Sequence, residues 1–249
     1  MNGELMNMAQ LTLAAEHYLK TGSFPRQLTE SKQITGYEFQ FAPLGEEEAK
    51  ATADCEEWAR ELKARGVSTV KLLIGDEVDD FRKLALPNAL PCVIFCFHED
   101  DSVTAWSRLW QLNPFNGTWF VRYEEKVIEN APSERPRFGD VSQDMVRVLE
   151  RIRALAQKLE LSDFAFQFRI AQKSLQANFV GDKGLMESAH RRLLQAATEA
   201  FVFTPDENGW QEKGRAAAEQ KGLLEEYQSL TKELYRGIAL SIMYAVNEL

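Results

Sequence analysis

Histidine and cysteine are scarce in this chain of 249 residues, three of each, and that scarcity narrows the chemistry it can carry. Cys55, Cys92 and Cys96 are an odd number without spaced pairs. They are expected as reduced, buried thiols in a cytosol rather than as a disulfide framework. Cys92, Cys96 and His98 share one face of a strand. Two-residue steps of nearly 7 Å then set the two sulfurs about 13 Å apart, too far for one zinc ion. A Cys96–His98 thiol dyad is conceivable; a packed cysteine with a histidine at the strand end is the simpler account. His17 and His190 border apolar helical stripes without an acid partner in sequence, and both are expected to be structural or surface residues. No phosphate-binding glycine loop, nucleophile elbow or zinc helix motif occurs.

An excess of positive charge is also missing. The formal net charge is −9, so the averaged field repels polyphosphate and anionic membrane, and no nucleic-acid or membrane partner is expected. No run of about 18 apolar residues occurs, which excludes a helical membrane span. The first twenty residues place Glu4 before any basic residue and interrupt their apolar positions with Asn7, Gln10, Thr12 and Glu16. That pattern predicts no secretory signal and a cytoplasmic location. Repeats and low-complexity tracts are absent too.

What is present is a change of pattern near Pro132. Upstream, helical and β-rich runs alternate. A helix is predicted from about Glu4 to Lys20, a strand with Tyr37, Phe39 and Phe41 inward, and a helix that opens on Glu46, Glu47 and Glu48 and stops at Gly66. A strand over Val67–Ile74, a short helix from Asp76 to Leu86 and a strand over Cys92–Phe97 follow. The last has both faces apolar, which places it centrally in the sheet. Strand, helix, strand, helix, strand implies parallel crossovers. Two more strands, Val103 to Leu112 and Thr118 to Ile128, flank a five-residue loop from Asn113 to Gly117 and predict an antiparallel hairpin.

The polar stretch from Glu129 to Gly139 reads as a linker, which divides the chain into a mixed domain, 1–131, and a helical one, 132–249. Downstream, helical stripes run through Val141 to Leu159, Phe164 to Phe179, Met186 to Phe203 and Leu223 to Leu249. Thr204, Pro205 and Glu207 spell a helix start that Asn208 and Gly209 weaken. The apolar surface widens from Ile238 to Leu249, as in the middle of a bundle or half of a homodimer contact. The expected class is α+β: a mixed sheet with a parallel βαβαβ start and an antiparallel hairpin, followed by an all-helical C-terminal half.

Two surfaces carry candidate chemistry. In the hairpin, pairing around a five-residue loop sets Arg108 opposite Arg122, with Trp106 and Trp110 on the same face. Opposed guanidinium groups need an anion or acid between them, supplied either by Glu124 or by a bound carboxylate or phosphate. The second surface is an acidic rim at the carboxyl ends of parallel strands: Glu46 to Glu48, then Asp76, Glu77, Asp79 and Asp80, then Glu99 to Asp101. Gathered carboxylates suit Mg²⁺; the same acids also offset helix dipoles and sit solvated in turns. A nuclease-like Glu-x-Lys over Glu124 to Lys126 stands too far from Asp101 for a shared metal. The leading expectation is a binding or protein-interaction module without catalysis or cofactor, taking a protein partner or a small anionic ligand. A divalent-metal hydrolase or phosphoryl-transfer enzyme on the rim is the alternative.

Overall fold

The computed structural model describes residues 3–43, 50–75, 78, 80–129, 135–177, 186, 188–204 and 206–248. They form two compact units. The sheet unit takes Glu4–Leu73 and Cys92–Pro136; the helical unit takes Ile74–Pro91 and Arg137–Leu249, with Met1–Gly3. No helix among the described residues is long and apolar enough to cross a membrane.

Six strands make one mixed sheet in the order β2-β1-β6-β5-β4-β3, from β1 (Ile34–Gln40), β2 (Ala51–Thr52), β3 (Val67–Ile74), β4 (Cys92–His98), β5 (Val103–Asn113) and β6 (Thr118–Val127). The α+β class, the mixed sheet, the β5–β6 hairpin and the helical C-terminal half are all present. The parallel start is not. Among the described residues only β1 and β6 are parallel neighbours; β4 with β5, β5 with β6 and β1 with β2 are antiparallel. The Glu99 amide bonds to the Gly66 carbonyl and the Gly75 amide to the Pro91 carbonyl. One index rises as the other falls, so β3 and β4 also run in opposite senses. The reason lies in the link between them. Among its described residues the only helical piece is a 3₁₀ turn, Phe81–Ala85, and its neck is closed like a hairpin, so the chain returns beside β3 in the antiparallel sense.

β4 is an interior strand, second from the β3 edge. Cys92, Ile94 and Cys96 on one face are fully buried, whereas Val93 and Phe95 on the other are half-buried. The buried face carries an aromatic stack: Phe39 lies 4.9 Å from Trp58 and 5.3 Å from Tyr123, and Trp106 meets Trp58 edge-on at 5.6 Å. Each such indole contributes roughly 4–6 kcal/mol on burial, as an upper bound. Two helices cover this face. Along α1 (Gly3–Thr21), Asn7 bonds both the Tyr37 and Tyr123 hydroxyls, and Glu16 accepts from the Val70 amide. The second, α2 (Cys55–Ala64), starts later than its acidic run predicts, because Asp54 caps it by accepting from the Glu56 and Glu57 amides. Glu46 to Glu48 lie outside the described residues.

The helical unit is built from α3 (Ser142–Lys158), α4 (Ser162–Gln176), α5 (Ser188–Ala200), α6 (Arg215–Lys221) and α7 (Leu224–Asn247). Met145, Ile152, Phe168, Leu193 and Leu234 centre its core. At Gly237 a β-carbon would meet Met145 and Val148 at 3.3 Å, so glycine lets α7 approach α3 closely. Ile238, Ile242, Ala245 and Val246 are buried in the single chain. One chain alone does not test the homodimer contact expected over Ile238 to Leu249; Leu240 and Tyr244 are half-buried, and Leu249 lies outside the described residues.

Segment Ile74–Pro91, assigned by the single division at Pro132 to the first domain, belongs to the helical unit. Phe81 stacks on Phe203 at 5.7 Å, the Tyr235 hydroxyl donates to the Gly75 carbonyl, and the Ile74 amide points at the Met243 sulfur. An excursion of this kind cannot be drawn as one boundary.

Candidate functional site

The structure separates the four hairpin residues. Arg108 lies across from Tyr123, and Leu109 across from Arg122. The hairpin loop is one residue shorter than its sequence implies, since Asn113 pairs with Thr118 as the last rung and its carbonyl accepts from the Gly117 amide. That single offset sends the two arginines to opposite faces. Trp106, Arg108 and Trp110 share the buried face. Trp106 is fully enclosed, Trp110 stands edge-on to Trp119 at 5.7 Å, and Arg108 pairs with Glu4 while donating to the Cys92 carbonyl. Arg122 sits on the other face and bonds Glu38 at 2.8 Å. Gln40 and then Arg122 hold the Glu38 carboxyl below its usual range. The two arginines cannot grip one anion.

The acidic rim is divided as well. Strands β1 and β4 point one way and β3 the other, so Asp80 follows a strand end at the opposite side of the sheet from Glu99, Asp100 and Asp101. Asp80 is occupied by Arg82, and Asp100 accepts from Ser102. Asp76, Glu77 and Asp79 lie outside the described residues. Among those described, no group of three His, Cys, Asp or Glu side chains could hold a metal ion.

The thiols are free and buried. Burial pushes Cys55 and Cys92 up to about 12, and Cys96 higher still, so none offers a thiolate near neutral pH. His98 is engaged: Nδ1 lies 3.1 Å from the Arg65 carbonyl and Nε2 lies 3.2 Å from the Thr104 hydroxyl. Thr104 donates on to Glu125, which also accepts from the Ala42 amide and from Arg65. Arg65 lies over the Phe41 ring and bonds Glu61, itself paired with Lys50. This network ties strand ends together through groups already satisfied. His190 is buried and stacked on Tyr244 at 4.8 Å, without a hydrogen-bond partner among the described residues.

A different place in the helical unit has the make-up of a binding site. Its foundation is Trp210, which begins a π-helical turn, Trp210–Gly214, in place of the start expected at Thr204. The indole donates to the Thr231 hydroxyl at 2.9 Å, the Tyr227 hydroxyl donates to the Trp210 carbonyl at 3.0 Å, and Phe164 and Phe168 stand edge-on to the ring. Burial pushes the Tyr227 phenol far up, so it stays a neutral donor. The turn runs into α6, which Gly222 ends in the left-handed conformation, φ 68°. Turns of this type, with one residue more per loop than an α-helix, recur at functional positions.

Around that anchor lies a pocket of about 240 Å³ lined by Asp80, Phe81, Arg82, Gln211, Arg215, Tyr227, Gln228, Thr231 and Lys232. Gln211, Tyr227 and Thr231 are its buried members, and the three cations and Gln228 its exposed ones. Arg82 grips Asp80 through Nε and Nη2, which leaves Nη1; Arg215 bonds Glu219 through Nε, which leaves both terminal nitrogens. Lys232 has no acid partner among the described residues. Arg82 and Arg215 are close enough to repel each other. The Gln211 amide nitrogen donates to the Thr204 carbonyl, which fixes its orientation and leaves the buried Oε1 without a partner.

Sequence reasoning did not find this pocket. Its residues come from the β3–β4 excursion, from a turn that breaks the helical period, and from α6 and α7. The one legible trace is the polar pair Gln228 and Lys232, four residues apart on α7 beside its apolar stripe. Comparison of the chain with protein-family models, with curated proteins and with solved structures finds no match.

Proposed function

We propose that this chain is a non-catalytic binding protein whose helical unit takes a compact anionic ligand bearing a phosphate or carboxylate group. The observation that carries the reading is the convergence of Arg82, Arg215 and Lys232, all with donors to spare, on one pocket. Two guanidinium groups that repel each other gain from an anion between them, and each offers a fork matched to phosphate or carboxylate oxygens. Their present ion pairs are exposed and screened by solvent, so a ligand can recruit them cheaply. The Gln211 Oε1 favours a ligand that also carries an O–H or N–H, since an unsatisfied buried acceptor costs about 1–3 kcal/mol. At about 240 Å³ the space falls below the roughly 300–1,000 Å³ of drug-sized sites, so the ligand is small. The three buried thiols suit a cytosolic setting.

Titration of the full chain with inorganic phosphate, followed by NMR of the Trp210 indole N–H, tests the reading. We expect a saturable shift with a dissociation constant below about 10 mM that chloride at equal ionic strength does not reproduce. Replacing Arg215→Gln together with Lys232→Gln should weaken it tenfold or more. No saturable shift, or one that the double replacement leaves unchanged, would overturn the proposal.

A further inference from the structure

The lining of the helical-unit pocket sorts into a cationic rim and a floor with one open acceptor. Of the buried side-chain nitrogen and oxygen atoms in that lining, Gln211 Oε1 alone has no hydrogen-bond partner among the described residues. The Tyr227 hydroxyl donates to the Trp210 carbonyl, and the Thr231 hydroxyl accepts from the Trp210 indole. Gln211 is 5% exposed, and its Nε2 donates to the Thr204 carbonyl. Turning the amide over would set two oxygens against each other, so this contact fixes Oε1 as the open end. The floor therefore calls for a ligand donor, while the rim calls for an anion.

The rim decides which donor. An ammonium group would meet Arg82, Arg215 and Lys232 across a pocket of about 240 Å³, and a single neutral acceptor does not offset the burial of its charge. Asp80, the acid of the lining, is already bound on both oxygens by Arg82. A hydroxyl brings the same hydrogen bond without the charge. The number of cations decides which anion. A phosphate monoester presents three strong acceptor oxygens, one for each cation, whereas a carboxylate has two and leaves one cation out. Size sets the rest of the ligand. The space equals about eight water molecules at roughly 30 Å³ each, room for a phosphate group and a chain of about three carbons.

We infer that the ligand of this pocket is a small phosphate monoester carrying a free hydroxyl, its phosphate held by Arg82, Arg215 and Lys232 and its hydroxyl donating to Gln211 Oε1. The inference rests on the anion-binding reading of the same pocket, and adds the choice of phosphate over carboxylate and of hydroxyl over ammonium.

Calorimetric titration of the full chain at neutral pH with four small molecules tests it. Glycerol 1-phosphate should bind about tenfold tighter than propyl phosphate, which keeps the phosphate and the carbon chain but lacks the hydroxyls, because a site built around a ligand O–H rejects the analogue without it. Glycerate, with a carboxylate in place of the phosphate, should bind about tenfold more weakly than glycerol 1-phosphate. Phosphoethanolamine should bind no tighter than propyl phosphate. In Gln211→Leu the two esters should come within about twofold of each other, with the Trp210 indole resonance reporting that the variant is folded; the four-way comparison on the unaltered chain decides the matter even if it is not. Equal binding of the two esters, a preference that survives Gln211→Leu, or glycerate or phosphoethanolamine matching glycerol 1-phosphate overturns this inference and leaves the anion site standing. Failure of both esters to bind removes the two together.

Discussion

The two units place arginine beside buried polar groups in opposite ways. In the sheet unit, Arg65 and Arg108 are themselves buried. Each has protein acceptors for its charge: Arg65 has Glu61, Glu125 and the Ala42 carbonyl, and Arg108 has Glu4 and the Cys92 carbonyl. In the helical unit, Arg82 and Arg215 stand at the exposed rim of a pocket, hold one acid each and keep terminal N–H groups unused. A buried guanidinium must be satisfied by the chain that buries it, because leaving it unpaired costs several kcal/mol. An exposed one bears no such constraint and can wait for a ligand. The same residue type is thus structural in one unit and proposed as functional in the other, and burial with partner count tells them apart.

That contrast is broken most directly at Glu125. Replacing Glu125→Ala removes the carboxylate that joins Arg65, Thr104 and the Ala42 amide, and leaves a nearly buried guanidinium with Glu61 as its remaining acid. We expect a loss of about 3–5 kcal/mol in urea unfolding. A loss below 1 kcal/mol would show that solvent reaches Arg65, and the distinction between the units would fail. Next in size is Thr231→Val, which deprives the buried Trp210 indole of its acceptor beneath the pocket. A stability loss of about 1–3 kcal/mol is expected, with phosphate affinity falling as the π-helical turn loosens. Equal affinity in the variant would show that the pocket does not depend on the turn.

Smaller still is Arg122→Ala. Arg122 and its partner Glu38 are both half-buried and still reached by water, so unfolding should shift by no more than about 1 kcal/mol, and phosphate binding should not change. A loss of phosphate binding would return the ligand site to the hairpin and remove it from the helical unit.

This last comparison also shows where sequence stops informing. Element types were legible wherever burial imposes a period: Val67–Ile74, Cys92–Phe97 and the stripes of α3 and α7 stand where their side chains demand. Register and direction were not. The Arg108–Arg122 pair was misplaced by one residue because loop length depends on whether Asn113 closes the ladder or enters the turn, a choice made by hydrogen bonds and not by polarity. The direction of β4 depended on the chain between Gly75 and Pro91, whose packing on Phe203 and Tyr235 has no local signature. The pocket was missed for the same reason, since Arg82 and Lys232 are separated by most of the helical unit in sequence and meet only through the fold.

The smallest expected change in stability belongs to Lys232→Gln, and it is the sharpest test of the contrast. Lys232 is exposed and has no acid partner among the described residues, so its loss should move the unfolding midpoint by less than about 0.5 kcal/mol. If the helical unit keeps its cations for a ligand, the same change should lower phosphate affinity severalfold and flatten its dependence on salt, because one charge fewer attracts the anion through the screening atmosphere. A structural charge behaves the other way, costing stability and leaving binding alone. Measuring both quantities on one variant therefore assigns Lys232 to one class or the other without appeal to the rest of the pocket.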